Sequence, residues 1–383
     1  LIKKYYKRRF ILLGMHAHIP IPKTEKILGG DDVFIVAEIG KNFIQTEDDK
    51  TIEEYLDNAK QLVDEALAAG CDAVKFQTHE IEDEVLRVDF TSPNFKEGPR
   101  YDWVSRNTRV TPVDEFWKPL KQYCDEKGII FFSTPMSRKA ARKIHEVGVP
   151  FWKVGSGDAQ DYATLDFMIE TRKPIIISTG MVSLSELDEL VAHITGKGSP
   201  LVVLYCISQY PAPKEYFNLS TIEYFIERYP GVVVGFSDHS IGHSVALAAV
   251  KLGAKVVEKH FSLSRELWGA DHKVSMTPEE MRDMVKAIRS GAYKDADHTP
   301  FYGVKDKELE GADSIFRPYF NKSLMVGADI PAGAVITKDA VFAMRPRMHT
   351  GGLSANRFYD VVGKRVRKSL KKYDPITEAV LYE

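Results

Sequence analysis

Residues 232–260 read VVVGFSDHSIGHSVALAAVKLGAKVVEKH, and the order of residue types in this stretch decides the fold. A β-branched run, Val232–Phe236, meets the polar residues Ser237, Asp238 and His239. A helical segment follows, then a second short run, Lys255–Lys259, with Glu258 and His260 at its end. Strand, helix and strand in that order predict parallel strands joined by a right-handed crossover.

The same rhythm runs upstream. Val33–Glu38, Ala73–Gln77, Ile129–Ser133, Phe151–Val154, Pro174–Ser178 and Leu201–Cys206 are six further strand candidates, which brings the count to eight. Thr51 with Glu54 forms a capping box, after which Ile52, Tyr55, Leu56, Ala59, Val63, Ala66 and Leu67 recur at helical spacing until Gly70. Ser183 with Glu186 repeats the device, as does Thr277 with Glu280, where Pro278 takes the first helical position and Gly291 marks the end. Eight such repeats within about 260 residues predict a closed (β/α)8 (TIM) barrel. A doubly wound open sheet is the competitor, but no Gly-rich dinucleotide fingerprint follows the first strand.

The expected organisation is an N-terminal extension (1–30), the barrel (31–292), a polar linker (293–313) and a small β-rich domain (314–383). The extension is expected to have no catalytic role and to be partly non-native ahead of Met15. A long segment from Thr78 to Val113, with Phe90, Phe95, Tyr101 and Trp103, is too long for a plain βα loop and reads as a lid or binding loop. Tyr101 and Trp103 either stack on a sugar or pin the loop.

A formal net charge of −2 argues against nucleic acid or an anionic membrane as the main partner. No apolar run approaches the roughly 20 residues that span a bilayer. Cys71, Cys124 and Cys206 form neither a metal-ligand spacing nor a disulfide framework, which points to a reducing cytoplasm. Cys206 ends a strand without an obvious base and reads as a buried bystander.

In a barrel the end of each strand faces the active site, so the polar residues there need a reason. They are Glu38; Lys75 and Gln77; Ser133 and Thr134; Lys153, Ser156 and Asp158; Ser178 and Thr179; Ser208; Ser237, Asp238 and His239; Glu258 and His260. His239 and His260 end adjacent strands, either as ligands of one divalent ion or as hydrogen-bonded rim histidines. Lys75 and Lys153 with Ser156, Ser178, Ser208 and Ser237 either cradle an anion or pair with carboxylates at the mouth. Glu38 either works as an acid or base or forms a salt bridge to Lys75.

The strings Ala37-Glu38-Ile39-Gly40, Ala73-Val74-Lys75-Phe76-Gln77-Thr78, Ser133-Thr134-Pro135, Lys153-Val154-Gly155-Ser156-Gly157 and Ser178-Thr179-Gly180-Met181 resemble the sialic acid synthases. Tyr210-Pro211-Ala212-Pro213, Ser237-Asp238-His239-Ser240-Ile241-Gly242, Glu258-Lys259-His260-Phe261 and Gly269-Ala270-Asp271-His272 continue the resemblance in order. It implies a barrel followed by an antifreeze-like domain, whose landmarks would be Ser323-Leu324, Ile330-Pro331-Ala332-Gly333 and Arg345-Pro346. It further implies condensation of phosphoenolpyruvate with an amino-sugar aldehyde such as N-acetylmannosamine, giving N-acetylneuraminate or a relative such as legionaminate.

By the same carry-over His239 and His260 hold Mn²⁺ or a similar ion. Lys75, Lys153, Ser156, Ser178, Ser208 and Ser237 surround phosphoenolpyruvate, with Gln77, Tyr210 and Asp271 nearby. Glu38 and Asp158 are the expected catalytic carboxylates. A domain-exchanged homodimer is implied, in which Arg345 reaches the neighbouring site and contacts the sugar's acyl group.

Three departures from the family pattern stand out. Phe43 replaces the usual His after Asn42, Asp158-Ala159-Gln160 replaces a Glu followed by Asn-containing sequence, and Arg347 replaces a Gly. They predict a changed acceptor. The alternatives are a divergent synthase for another surface-polysaccharide sugar acid and a non-catalytic sugar-binding barrel.

Overall fold

All eight strand candidates form strands of one parallel sheet. They are β1 (Phe34–Gly40), β2 (Ala73–Thr78), β3 (Ile130–Pro135), β4 (Trp152–Val154), β5 (Ile175–Ser178), β6 (Leu201–Cys206), β7 (Val233–Asp238) and β8 (Val256–His260). The computed structural model describes residues 17–93, 98–305, 307 and 315–382. The strand order is β3-β2-β1-β8-β7-β6-β5-β4, so the first and last strands of the chain pair with each other. The two ends of the sheet, β3 and β4, lie side by side and nearly close the barrel. Phe132 of β3 packs against Phe151 at 4.6 Å between ring centroids, and Phe34 meets Phe151 at 6.2 Å. These aromatic rings fill the lower barrel, as large side chains do in a packed barrel interior.

The capping boxes fall where the sequence places them. Thr51 and Glu54 start the helix Ile52–Ala68, Ser183 and Glu186 start Leu184–Gly196, and Thr277 and Glu280 start Pro278–Arg289. Each box satisfies two otherwise orphaned backbone N–H groups at a helix start.

Residues 17–30 cover the floor of the barrel. Ile19–Pro20 pairs antiparallel with Ile27–Leu28, Ile19, Ile21 and Leu28 are buried, and Lys26 binds Asp72 at 2.7 Å below β2. In the long insert, Tyr101 packs on a cluster of Val85, Phe90 and Val104, and Trp103 meets Trp268 edge-on at 5.3 Å. Both aromatics pin the loop and neither lines the cavity at the mouth. Phe95 lies outside the described residues. The small domain contributes β9 (Ser323–Val326) and β10 (Val341–Met344), an antiparallel pair; isolated bridges join β9 to Ser354 and Pro375, and others link Ile330 to Leu370, Val335 to Arg365 and Val366 to Leu381.

Strand alternation places the chemistry. Glu258 lies level with Ser237, and His260 lies level with Glu38, all on the inner face. Their neighbours Lys259 and Asp238, also level, face outward into the layer between sheet and helices. There Lys259 Nζ binds Asp238 Oδ2 at 2.8 Å and Ser240 O at 2.6 Å, with both charged side chains fully buried. Asp238 Oδ1 accepts the Ser240 N–H at 2.7 Å, which fixes the loop directly after β7. Removing one partner of such a pair leaves an uncompensated buried charge. Asp238→Ala is therefore expected to cost about 3–5 kcal/mol of folding stability, read from urea unfolding. A loss below about 1 kcal/mol would show that the pair does not hold these strands.

Candidate active site

The C-terminal ends of the strands surround one cavity. Lys75 of β2 and Lys153 of β4 occupy its base. Lys75 Nζ contacts Glu38 Oε2 at 2.6 Å, Thr134 Oγ1 at 3.1 Å and Glu258 Oε1 at 3.6 Å. Lys153 Nζ donates to Ser178 Oγ at 2.7 Å and lies 3.8 Å from Glu258 Oε1, which also accepts from Ser237 Oγ at 3.0 Å. Gln77 Nε2 donates to Glu38 Oε1 at 2.8 Å.

The electrostatics of this cluster are divided. Burial raises the pKa of Glu38 by more than Lys75 lowers it, and Glu258 adds to the rise. Burial opposes the charge on Glu258 too, but Lys153 and Lys75 hold that carboxyl below its ordinary range. Burial also lowers Lys153, whereas Lys75, between Glu258 and Glu38, is raised despite burial. The salt bridge between Glu38 and Lys75 is thus present. Lys153 keeps a hydroxyl, not a close carboxylate, as its nearest polar side-chain partner.

The two histidines converge above this cluster, their ring centroids 5.3 Å apart. His239 Nδ1 donates to the Ile207 carbonyl at 2.6 Å, which leaves its Nε2 lone pair free of that bond. Burial pushes His260 down to about 3, so its imidazole is neutral, and its Nδ1 is buried without a partner. His239 is also opposed by burial, yet Cys206, 3.8 Å away, raises it overall. Two imidazoles so disposed fit half of a divalent-ion site. Among the described residues no group of three or more His, Cys, Asp or Glu side chains is arranged to complete one. Tyr210 stacks 4.1 Å from the His239 ring and confines that wall.

The small domain forms the roof. Arg345 Nη2 contacts Asp158 Oδ1, and Lys322 Nζ bonds Asp158 Oδ1 at 2.7 Å and Asp161 Oδ2 at 2.8 Å. Phe320 lies over Gly157, where a Cβ would come within 2.9 Å of the Phe320 Cβ, so only glycine fits. Arg345 was expected to reach a neighbouring subunit's site; in this structure the contact is made within one chain. Most of residues 306–314, which join the two domains, lie outside the described residues.

Of the expected site residues, all but Ser208 line the cavity. Ser208 lies against Gly180, where a Cβ would come 2.1 Å from Ser208 Oγ, so only glycine fits. That hydroxyl is buried and unpartnered. Phe43 lies elsewhere. It points away from the cavity into an aromatic layer outside the barrel, with Phe116 at 4.9 Å and Tyr55 and Phe76 at 6.3 Å each. Asn42 turns the chain that way by donating to Phe261 O and Ser275 Oγ. Sequence reasoning assigned no role to Glu258, Thr134, Lys41, Arg100 or Phe320, all of which line the cavity. The alternation Glu258-Lys259-His260 pointed to the first. Lys41 and Arg100 sit on loop and insert, where no periodicity marks them.

Comparison with known proteins agrees with this geometry. Residues 62–298 match the NeuB family and residues 321–381 match the SAF domain. The chain is 29% identical to human N-acetylneuraminate-9-phosphate synthase, over 92% of this chain and 94% of that protein. It is 32% identical to the spore coat polysaccharide biosynthesis protein SpsE of Bacillus subtilis, over 90% and 92% respectively. The crystal structure of SpsE superposes with a TM-score of 0.76 at 28% identity, covering 96% of this chain and 99% of that one. No helix among the described residues is long and apolar enough to cross a membrane. A parallel barrel with this polar mouth, carrying a SAF domain as its roof, places the chain in the NeuB family.

Proposed function

We propose that this chain condenses phosphoenolpyruvate with an N-acylated amino-sugar aldehyde of the N-acetylmannosamine type, giving a sialic-acid-like nonulosonic acid and phosphate. One observation carries the reading: the Lys75–Lys153–Ser178–Ser237 cluster and the His239–His260 pair open into the same cavity. The names of the human and Bacillus relatives, a sialic acid phosphate synthase and a polysaccharide biosynthesis protein, point the same way.

In this reading the lysines and hydroxyls at the base hold the phosphate and carboxylate of phosphoenolpyruvate by charge-assisted hydrogen bonds. His239 and His260 would hold Mn²⁺ or a similar divalent ion, which when bound supplies Lewis-acid polarisation of the acceptor's carbonyl. C3 of phosphoenolpyruvate bonds to the aldehyde carbon of the open-chain sugar, and the carbonyl oxygen takes up a proton. Water adds to C2 while Glu38 accepts its proton, and the C2–O bond to phosphate then breaks as the new hydroxyl gives its proton to the departing phosphate, leaving a ketone. Lys75, already on Glu38, steadies the charge that this carboxylate loses and regains. Asp158, Arg345 and Lys322 line the acceptor end, and the SAF domain keeps bulk water out.

Asp158 remains the departure that bears on the acceptor, since Phe43 lies elsewhere. Exchange of SAF domains between two chains preserves every roof contact, and we take the working unit to be such a homodimer. Light scattering should then give twice the 43.2 kDa chain mass; a single-chain mass at assay concentration would contradict it.

Phosphate release from phosphoenolpyruvate, assayed with Mn²⁺ and a panel of hexosamine aldehydes, should occur with at least one N-acyl acceptor. His260→Ala should abolish that metal-dependent turnover with the fold intact by circular dichroism, and unchanged turnover would remove the metal assignment. Glu38 must be ionised to act as a base, and burial raises its pKa above the usual 4.5. Rate should therefore fall as pH drops through a value above 4.5. Glu38→Gln should remove that acid limb and lower kcat by roughly 10²–10⁴-fold. A variant that keeps both the rate and the limb would assign the base elsewhere.

A further inference from the structure

Arg138 stands where a helix disfavours it. It is the first residue of the helix Arg138–Val147, beyond the turn that follows β3, and a cation there meets the positive end of the helix dipole. Yet the side chain is buried, and its hydrogen bonds run into the small domain. Nη1 donates to Lys338 O at 2.9 Å, and Nη2 donates to Val341 O at 3.0 Å and Asp339 O at 3.4 Å. Those carbonyls belong to the turn Lys338–Ala340 and to the first residue of β10, and Arg345 directly follows the last. Asp83 of the insert sits at the same helix start, where its Oδ2 accepts the Lys139 N–H at 2.8 Å and offsets the arginine's charge.

The far end of β10 is held by the insert. Arg345 N–H donates to Glu84 O at 2.9 Å, and Leu86 N–H donates to Arg345 O at 2.8 Å, a bridge centred on Val85. Glu84 is fixed in turn from the barrel. Its carboxylate lies 2.8 Å from Nδ1 of His79, the residue after β2. Leu86 packs on Met325, Phe342 and Met344 of the small domain. A strand of four residues is thus anchored by Arg138 where it begins and by the insert where it ends, and the Arg345 side chain leaves that end to reach Asp158. Arg138 itself does not line the cavity. A planar fork on three carbonyls fixes a position more closely than a point charge would, because its N–H groups have set directions. Such placement matters, since moving a positioned group by about 1 Å can cost on the order of 10²-fold in rate.

We propose that Arg138 is a positioning residue for use of the acceptor. By anchoring the entry of β10 against the insert's hold on its exit, it sets where the Arg345 guanidinium stands. This rests on the acceptor end proposed above, which Arg345 lines, and adds a residue outside the cavity that governs it.

The test uses full-length Arg138→Gln, Arg138→Lys, Arg345→Gln and the double variant of Arg138→Gln with Arg345→Gln. The acceptor is the hexosamine aldehyde of highest rate in the panel above. Arg138→Gln should lower kcat/KM for it by roughly tenfold to hundredfold and leave KM for phosphoenolpyruvate within about twofold. Arg138→Lys, which keeps the charge and loses the fork, should lose only about three- to tenfold. In the Arg345→Gln background, Arg138→Gln should cost less than about twofold more, because a residue acting through another adds little once that one is gone. Amide hydrogen exchange gives a readout that needs no turnover. In Arg138→Gln the N–H groups of Arg345 and Leu86 should exchange at least about tenfold faster, while those of β7 and β8 keep the wild-type rate.

Independent losses that multiply in the double variant overturn the proposal. So does a KM for phosphoenolpyruvate that rises as much as the acceptor's, which would make Arg138 a general support of the fold. Wild-type kinetics in Arg138→Gln overturn it too and leave the condensation standing. If Arg138→Gln does not fold by circular dichroism, Arg138→Lys carries the same comparisons. Absence of phosphate release from the wild type with every acceptor removes the condensation. The exchange rates then decide alone: faster exchange at Arg345 upholds the anchor and an unchanged rate overturns it.

Discussion

The buried ion pair between Lys259 and Asp238 governs this mouth. It sits on the outer face of two adjacent strands and so forces their other faces inward. With Lys259 and Asp238 level, Glu258 stands beside Ser237, and the histidine that follows each run rises into the same cavity. A slip of one residue in either strand would exchange the two faces, burying imidazole among helices and leaving an unpaired lysine in the barrel. Register and chemistry are therefore one constraint, met by a single interaction that makes no contact with the cavity.

The cavity is built in tiers. At its base two lysines share two carboxylates and several hydroxyls, and the four charges nearly balance while the strands stay packed. Above them two imidazoles stand with lone pairs available. The roof comes from another domain, whose Arg345 and Lys322 both close on Asp158. Each tier offers a different chemistry: anion binding, Lewis-base donors, and a charged cover held to the barrel by salt bridges. A reaction joining an anionic three-carbon unit to a sugar aldehyde needs all three.

Much of this was legible in the sequence because periodic physics produced it. The eight strands announce themselves by β-branched runs of barrel length, and the capping boxes fix three helix starts to the residue. Strand ends carry the site, so Glu38, Lys75, Lys153, His239 and His260 followed from the fold itself. Loops obey no such rule. Phe43 was read as a change at the sugar site, but Asn42 binds Phe261 and Ser275 and turns the following side chain out into an aromatic layer. Ser208 follows β6 and packs against Gly180, outside the residues that line the cavity. Lys41 and Arg100 come from segments whose course depends on tertiary packing, and only the folded chain brings them to the cavity.

The central claim is that phosphoenolpyruvate lies on the lysine–serine base directly beneath the histidine pair. Diffraction from crystals soaked with Mn²⁺ and phosphoenolpyruvate tests it, using the anomalous signal of manganese to locate the ion. The account predicts manganese bonded to His239 and His260, with the ligand's phosphate and carboxylate on Lys75, Lys153, Ser178 and Ser237. Phosphoenolpyruvate bound outside that cluster, or manganese held by other side chains, would contradict it.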